Sequence, residues 1–339
     1  MERMTTPTNA DDSSRAVGLA ARRPAAPGVA RFPAMIKHLR IENFRGLREV
    51  AFDLEPLTVL VGPNGSGKSS VLRALTSWGR APLDPLDCWN HDASATVKVE
   101  VKRTDGSVAG GTCVAGNWPS GVVDASLLQL DIGLLRRTNQ AQHADRLNPN
   151  GENLVNAFHS LGRAVEEKAA QLFANLVPLF KDVDVRPTGG GHLGFHFTDR
   201  WNPAVTYSPD QVSDGTMLVL AYVTVLHQRN APDLLAIEEP ERGLHPYLLR
   251  ELIALLRKLS AGEHRMKPTQ VVLATHSAEL LNFVEPREVR FMSRDTADGS
   301  VQIRPAPIDS AEWAAAYAAY EQSLGGLWLS GNLGGVPGN

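Results

Sequence analysis

Gly62-Pro63-Asn64-Gly65-Ser66-Gly67-Lys68-Ser69-Ser70 is the stretch on which the fold turns. It follows the apolar run Leu57-Thr58-Val59-Leu60-Val61, which reads as a β-strand, and leads into Val71-Leu72-Arg73-Ala74-Leu75, which reads as a helix. A G-x-x-x-x-G-K-[ST] loop binds phosphate only where a strand and a helix hold its backbone N–H groups convergent, and both flanks are present. The pattern sets Lys68 against the β- and γ-phosphates of a nucleotide and the Ser69 hydroxyl on one Mg2+ position. The positive end of the following helix faces the polyphosphate. A glycine turn with an exposed lysine is the bland alternative.

Upstream of the loop, Ile36-Lys37-His38-Leu39-Arg40-Ile41 alternates like a strand, Asn43-Phe44-Arg45-Gly46-Leu47 turns the chain, and residues 50–54 alternate again, predicting a hairpin. Residues 1–34 are rich in Ala, Thr, Pro and Arg without periodicity, and are expected to form a disordered tail or to reflect an upstream start, with Met35 opening the folded chain. No apolar segment suits a secretory signal, and Asp11-Asp12 argues against a transit peptide.

Downstream, residues 79–95 are turn-rich, with Pro82 and Pro85, and 96–102 alternate as a strand ending at the Asp105-Gly106 turn. Residues 110–150 read as a loop-rich insertion with one strand near Leu127-Leu128-Gln129-Leu130. Leu154, Phe158, Leu161, Val165, Ala169 and Leu172 recur near helical spacing, predicting one helix over 153–180, closed by Pro178 and followed by a hairpin at Gly189-Gly190-Gly191. Residues 217–226 are apolar on all sides, predicting a buried helix. Strands at 234–237, 270–274 and 288–292 then alternate with helices at 246–259 and 277–283, which argues for one sheet flanked by helices.

The 339 residues, 43% hydrophobic, suffice for one large α/β domain or two small ones. A net charge of -3 lacks the basic excess of a nucleic-acid binder, although a local patch is not excluded. The two cysteines, Cys88 and Cys113, have no metal spacing around them, so a reduced, cytoplasmic protein is expected. No run of about 18 apolar residues is present to span a membrane.

Three later features bear on the loop. Leu234-Leu235-Ala236-Ile237-Glu238-Glu239-Pro240 sets two carboxylates at the end of an apolar strand, a costly placement unless they serve a metal or a proton. Neighbouring strand residues point to opposite faces, so the two divide the work. Glu238 is expected on the Mg2+ side, and Glu239 to orient and deprotonate water. A solvated strand-to-helix turn is the alternative. Val271-Val272-Leu273-Ala274-Thr275-His276-Ser277 puts His276 at the end of another buried strand, in reach of a γ-phosphate or the attacking water, or else in a structural role. Val212-Ser213-Asp214-Gly215-Thr216 offers Ser213 as a helix cap and, beside Gly215, an anion site that need not serve its own subunit.

Taken in order, the phosphate loop, Ser-Asp-Gly-Thr, Ile-Glu-Glu-Pro and Thr-His-Ser resemble the ABC-type ATPases, in the SMC, RecF and OLD-like branch of stand-alone ATPases rather than the transporter subunits. The resemblance covers residues 35–339 and implies an α/β P-loop fold, with a mostly parallel sheet flanked by helices and an antiparallel β lobe on the N-terminal side. A single domain is expected, divided into a β lobe with Walker A (35–110), an insertion with a helical segment (111–205), and a lobe with the signature, Walker B and switch histidine (206–339). By this similarity Gly62, Pro63, Asn64, Gly65, Ser66, Gly67, Lys68, Ser69 and Ser70 form Walker A, and residues 213–216 the signature motif. Glu238 and Glu239 are the Walker B pair, 243–246 the D-loop region, and His276 the switch histidine. Arg45 lies near the nucleotide. Gly325-Gly326-Leu327-Trp328 and Gly331-Asn332-Leu333-Gly334-Gly335 look like the tail of bacterial ATPases of this branch.

The resemblance implies ATP and Mg2+ as cofactors and a head-to-tail homodimer around two ATP molecules. Ser213 and Gly215 of one copy would complete the site built on Lys68 of the other, where Glu239 would activate water and His276 would reach the γ-phosphate. A separately encoded effector such as a nuclease, in anti-phage defence or DNA maintenance, is the expected output. DNA is an open partner, and a transporter subunit or a weakly hydrolysing interaction module are the alternatives. Departures from the transporter pattern are Glu238 in place of aspartate and Ser-Asp-Gly-Thr in place of Ser-Gly-Gly-Gln. For a Q-loop glutamine only Gln129, Gln140 and Gln142 offer themselves, and no heptad arm is seen. Asp295, Asp298 and Asp309 come too late to build the Toprim domain of OLD-like nucleases.

Overall fold

The computed structural model describes residues 34–77, 83–92, 94–113, 123–263 and 267–331. The expected tail before Ala34, Pro82 and the glycine-rich stretch from Asn332 onward lie outside the described residues.

Strands β1 (Ile36–Phe44) and β2 (Leu47–Asp53) form the expected hairpin, and β3 (Leu57–Val61) runs into the glycine loop and helix α1 (Lys68–Thr76). Strands β4 (Val97–Arg103) and β5 (Val108–Cys113) pair with β1 to give an antiparallel sheet of order β2-β1-β4-β5. Its inward alternate residues, Leu39, Ile41, Val99 and Val101, pack over Val71, Leu72 and Leu75 of α1. Helix α1 is thus enclosed between this sheet and the central one. Cys88 and Cys113, far apart in sequence, share that core as free thiols, and burial, then the neighbouring Cys113, pushes the Cys88 thiol up.

The strand expected near 127–130 is β6 (Ala125–Leu128), and it forms an edge of the central sheet rather than part of a separate insertion. Helix α2 (Ile132–Leu135) and strand β7 (Asn139–Gln140) follow. The single helix expected over 153–180 is two, α3 (Leu154–His159) and α4 (Arg163–Leu176). Gly162 breaks them at φ 79, a conformation a continuous helix does not contain, and the shared apolar spacing survives because both helices face one core. The chain leaves the second at Val177 and enters a hairpin, β8 (Phe180–Gly189) and β9 (His192–Asp199), whose three-glycine turn has φ values of 101, 59 and 78. Strand β10 (Thr206–Tyr207) adds to β9.

Helix α5 (Asp214–His227) is buried from Gly215 through Leu226, as its unbroken apolar sequence requires. Then come β11 (Leu234–Glu238), α6 (Pro246–Ala261), β12 (Gln270–Thr275), the short α7 (Ala278–Leu281), the pair β13 (Val289–Arg294) and β14 (Val301–Pro305), and helices α8 (Ala311–Ala319) and α9 (Leu324–Leu329). Helix α9 docks on α7 so tightly that a Cβ at Gly325 would stand 1.9 Å from the Ala278 carbonyl oxygen. Asn282 Oδ1 ties the two by accepting from Gly325 N and Ser323 Oγ, each at 3.0 Å.

The central sheet has the order β14-β13-β3-β12-β11-β6, parallel except for β14. Its middle strands are covered on both faces, the reason they read as continuous apolar runs. Val59, Val61, Leu235, Ile237 and Leu273 face α3 to α6, while Leu60, Ala236, Val272 and Ala274 face α1. Because these strands are parallel, their carboxyl ends lie along one edge, where α/β sheets bind ligands. That edge carries residue 62 after β3, His276 after β12, Glu238 and Glu239 at β11, and Gln129 after β6.

Candidate functional site

The loop of residues 62–70 is held by backbone geometry that only glycine accepts. Gly65 and Gly67 have φ values of 78 and 97, and a Cβ at Gly62 would come within 2.4 Å of the Met292 carbonyl oxygen. Gly67 caps α1 without a side-chain hydrogen bond, so the first amides of the helix stay open to an anion. The Ser66 hydroxyl oxygen is buried there without a partner among the described residues, a polar atom left for a ligand. Lys68, only 8% exposed, turns back to donate to Gly62 O at 2.7 Å and Pro63 O at 2.9 Å. Burial lowers its pKa, and Glu239, Glu241 and Glu238, in that order, pull it back up.

The carboxylates divide as their positions on β11 imply. Glu238 accepts hydrogen bonds from the Ser69 hydroxyl through one oxygen and from the Gln129 amide through the other. The parallel register explains the second contact: Leu128 of β6 is paired with Ile237 of β11, so the next residues are neighbours. Gln140 and Gln142 belong to the β7 region, where their backbone groups bond the Asn156 side chain, so Gln129 alone of the three candidates enters the site. Ser69, Glu238 and Gln129 together offer the hard oxygen donors that suit Mg2+.

Glu239 leaves the strand in the left-handed region at φ 48, a backbone cost of about 1–2 kcal/mol for a residue with a Cβ. Its amide donates to Ala274 O at 2.8 Å, and its Oε1 lies 3.3 Å from His276 Nδ1. A third carboxylate escapes a reading based on the Glu-Glu pair alone. Glu241 Oε1 accepts from Thr275 Oγ1 at 2.7 Å and from the His276 amide at 3.3 Å, so it fixes the turn that carries the histidine. The Glu-Pro-Glu-Arg spacing after β11 is the signal that could have found it. A cleft of about 520 Å3 opens beside Glu238 and Glu239, lined also by Gln129, Asp131, Tyr222 and Arg242.

Arg45 lies on the other flank of the loop. Its guanidinium pairs with Asp87 Oδ1 at 2.7 Å and sits 5.6 Å from the Phe44 ring centre. With Trp89, His91 and Arg294 it lines an open cleft of about 640 Å3. Arg45, Asn90 and His91 there all have positive φ, which concentrates backbone strain in one wall.

Ser213 caps α5 as expected, its Oγ accepting from Thr216 N at 3.2 Å, and Gly215 packs on the turn after β11, where a Cβ would stand 3.0 Å from Gly243 O. The described hydrogen bonds of 213–216 stay within that helix start, apart from Asp214, which pairs with Arg136 at 2.6 Å. Arg136 also donates to Val212 O at 2.9 Å and to Pro209 O, a clamp that sequence spacing gave no reason to expect. Arg136→Ala should remove three charge-assisted hydrogen bonds, a class worth about 1.5–3 kcal/mol each where well buried and less at the exposed Asp214 carboxylate. The expected result is faster amide hydrogen exchange confined to 208–216. Unchanged exchange there would refute the clamp.

Residues 135–282 match a family profile described as "AAA domain, putative AbiEii toxin, Type IV TA system", and residues 35–78 match one described as "AAA ATPase domain". The OLD nuclease of Thermus scotoductus is 38% identical over 74 residues, 20% of this chain and 14% of that protein. An energy-coupling factor transporter ATP-binding protein of Staphylococcus aureus is 32% identical over 72 residues, 21% of this chain and 23% of its own. These matches therefore span less than a quarter of either relative. Among solved structures, an SMC head bound to the C-winged helix domain of ScpA aligns with a TM-score of 0.52 at 16% identity, covering 83% of this chain and 99% of that one. Among the described residues no helix is long and apolar enough to cross a membrane.

Proposed function

From the premise that this chain carries the P-loop fold of the SMC-head and ABC-type ATPases, we propose that it binds and hydrolyses ATP and closes head to tail with a second copy around the nucleotide. The observation that carries the proposal is the convergence of Ser69 and Gln129 on Glu238, with Glu239 and His276 on the adjacent strand ends. Lys68 exchanges the Gly62 and Pro63 carbonyls for phosphate oxygens, and the open amides of α1 share the charge. Mg2+, held by Ser69 and Glu238 with Gln129 beside them, would supply charge neutralisation on the phosphates. Glu239 orients water and takes its proton, while His276 hydrogen-bonds the γ-phosphate or that water. Ser213 and Gly215 cap the γ-phosphate of the partner's site, in keeping with a helix start whose own hydrogen bonds do not turn toward Lys68. The cleft of Arg45 and Trp89 receives the nucleoside.

The output of such a pair is a change in association that gates an effector, for which the likeness to the OLD nuclease and the toxin-linked profile support a nuclease in anti-phage defence or DNA maintenance. A second reading, an ATPase subunit of a membrane transporter, is favoured by the match to the energy-coupling factor protein, and it predicts co-purification with a membrane partner. Phosphate release measured together with sedimentation, with and without Mg·ATP, tests the proposal. Turnover and an ATP-dependent doubling of mass are expected. Nucleotide-driven association without turnover would instead identify a binding module, and the absence of both turnover and association would defeat the proposal.

A further inference from the structure

The apex of the phosphate loop is held by a residue outside both stretches matched by the family profiles. Arg294, the last residue of β13, donates through Nε to Gly65 O at 2.8 Å and through a terminal nitrogen to Gly299 O at 2.6 Å. One guanidinium thus bridges the loop and the turn that joins β13 to β14. Both partners are neutral carbonyls, so its described hydrogen bonds bring it no neutralising carboxylate. Asp298, on the same turn, is already paired with Arg48 at 2.8 Å.

Gly65 needs such a tether. It has φ 78, and a Cβ built there meets nothing within 4 Å, so the chain is open to space on that side. The one backbone bond closing that turn, Ser66 N to Pro63 O, is long at 3.2 Å. At the other end of the loop Lys68 is bonded to Gly62 and Pro63, bonds that must break as phosphate enters. Arg294 makes its grip with atoms that need not move then. The route to it depends on Gly46, because a Cβ at that position would stand 2.5 Å from an Arg294 terminal nitrogen. Residue 46 lies outside the left-handed region, so its missing side chain answers to space rather than to a positive φ.

We infer that Arg294 is a positioning residue for the nucleotide: it pins the Gly65 carbonyl so that the loop amides stay convergent, and it adds positive potential at the polyphosphate end of the Arg45–Trp89 cleft. The inference rests on the nucleotide reading above. It is tested by titrating the full chain with Mg2+ and mant-ATP, a fluorescent ATP analogue, and by steady-state hydrolysis. Arg294→Ala should weaken mant-ATP binding about tenfold, the scale of one charge-assisted hydrogen bond. KM should rise in parallel, while kcat stays within about twofold. Gly46→Ala, which displaces the guanidinium and leaves it in the chain, should weaken binding similarly, and the double variant no further, because both remove one contact. Arg294→Lys, able to reach one carbonyl, should recover part of the loss. A purely structural role would lower the melting temperature without this KM shift. If the unaltered chain binds mant-ATP and folded Arg294→Ala binds it equally well, the inference is overturned while the nucleotide site stands. If the unaltered chain does not bind, both fall.

Discussion

Glu239→Gln is expected to cut ATP turnover by about 10²–10⁴-fold, the range assigned to a positioned general base, while leaving ATP affinity near that of the unaltered chain. The substitution keeps shape and removes the proton acceptor, and glutamine carries no new backbone demand at φ 48. The Lys68–carbonyl contacts and the Ser69–Glu238 bond do not involve residue 239, and with its charge gone Glu241 and Glu238 still favour the Lys68 ammonium, so the binding half of the site is kept. Because hydrolysis is what would separate the two copies, the variant should accumulate as the ATP-bound dimer. Phosphate release and sedimentation measure both effects. Ordinary hydrolysis by Glu239→Gln would remove the residue from its assigned role, and Glu241, next along the chain edge, would become the base to test.

The second large effect concerns the missing half of the site. Ser213→Arg costs the α5 cap about 1 kcal/mol in the folded monomer, a loss the buried remainder of that helix can bear. Its expected effect on ATP turnover is far greater, near-complete loss, because a long cationic side chain would fill the space that the partner's γ-phosphate requires. Mixing discriminates this from a local defect. Lys68→Ala has a dead loop and an intact signature segment, and Ser213→Arg has the reverse. In a head-to-tail pair of one each, a single site is whole, so an equal mixture should regain about a quarter of the unaltered activity. Two separately inactive variants that stay inactive when mixed would show that the site is completed within one chain.

Much of this architecture is legible in the sequence. Strand β3, the glycine loop and α1 follow from a local alternation, a set of φ demands and a helical period, none of which needs a distant partner. The pattern of 217–226 predicts a buried helix because nothing polar interrupts it, and α5 is buried along its length. Where reading failed, locality was the cause. The apolar positions of 153–180 keep helical spacing across the break at Gly162 because both halves face the same core, so periodicity could not reveal the kink. The strand expected near 127–130 is present as β6, but its place in the central sheet comes from pairing with β11, which no local signal carries.

By itself the sequence determined the chemistry available at each strand end: a phosphate loop after β3, two carboxylates at the end of β11, a histidine after β12 and a capped, glycine-bearing start to α5. The tertiary structure alone decided which of these meet. The order β3-β12-β11-β6 brings Gln129 to Glu238 across 109 residues. Packing carries Arg136 to Asp214 across 78 and Arg294 to Gly65 across 229. Residue type and local spacing fix what a side chain can do, but parallel strands joined by crossovers can be ordered in many ways with the same local signals. Only the choice of neighbours, made by burying both faces of one sheet, says what each side chain will do it to.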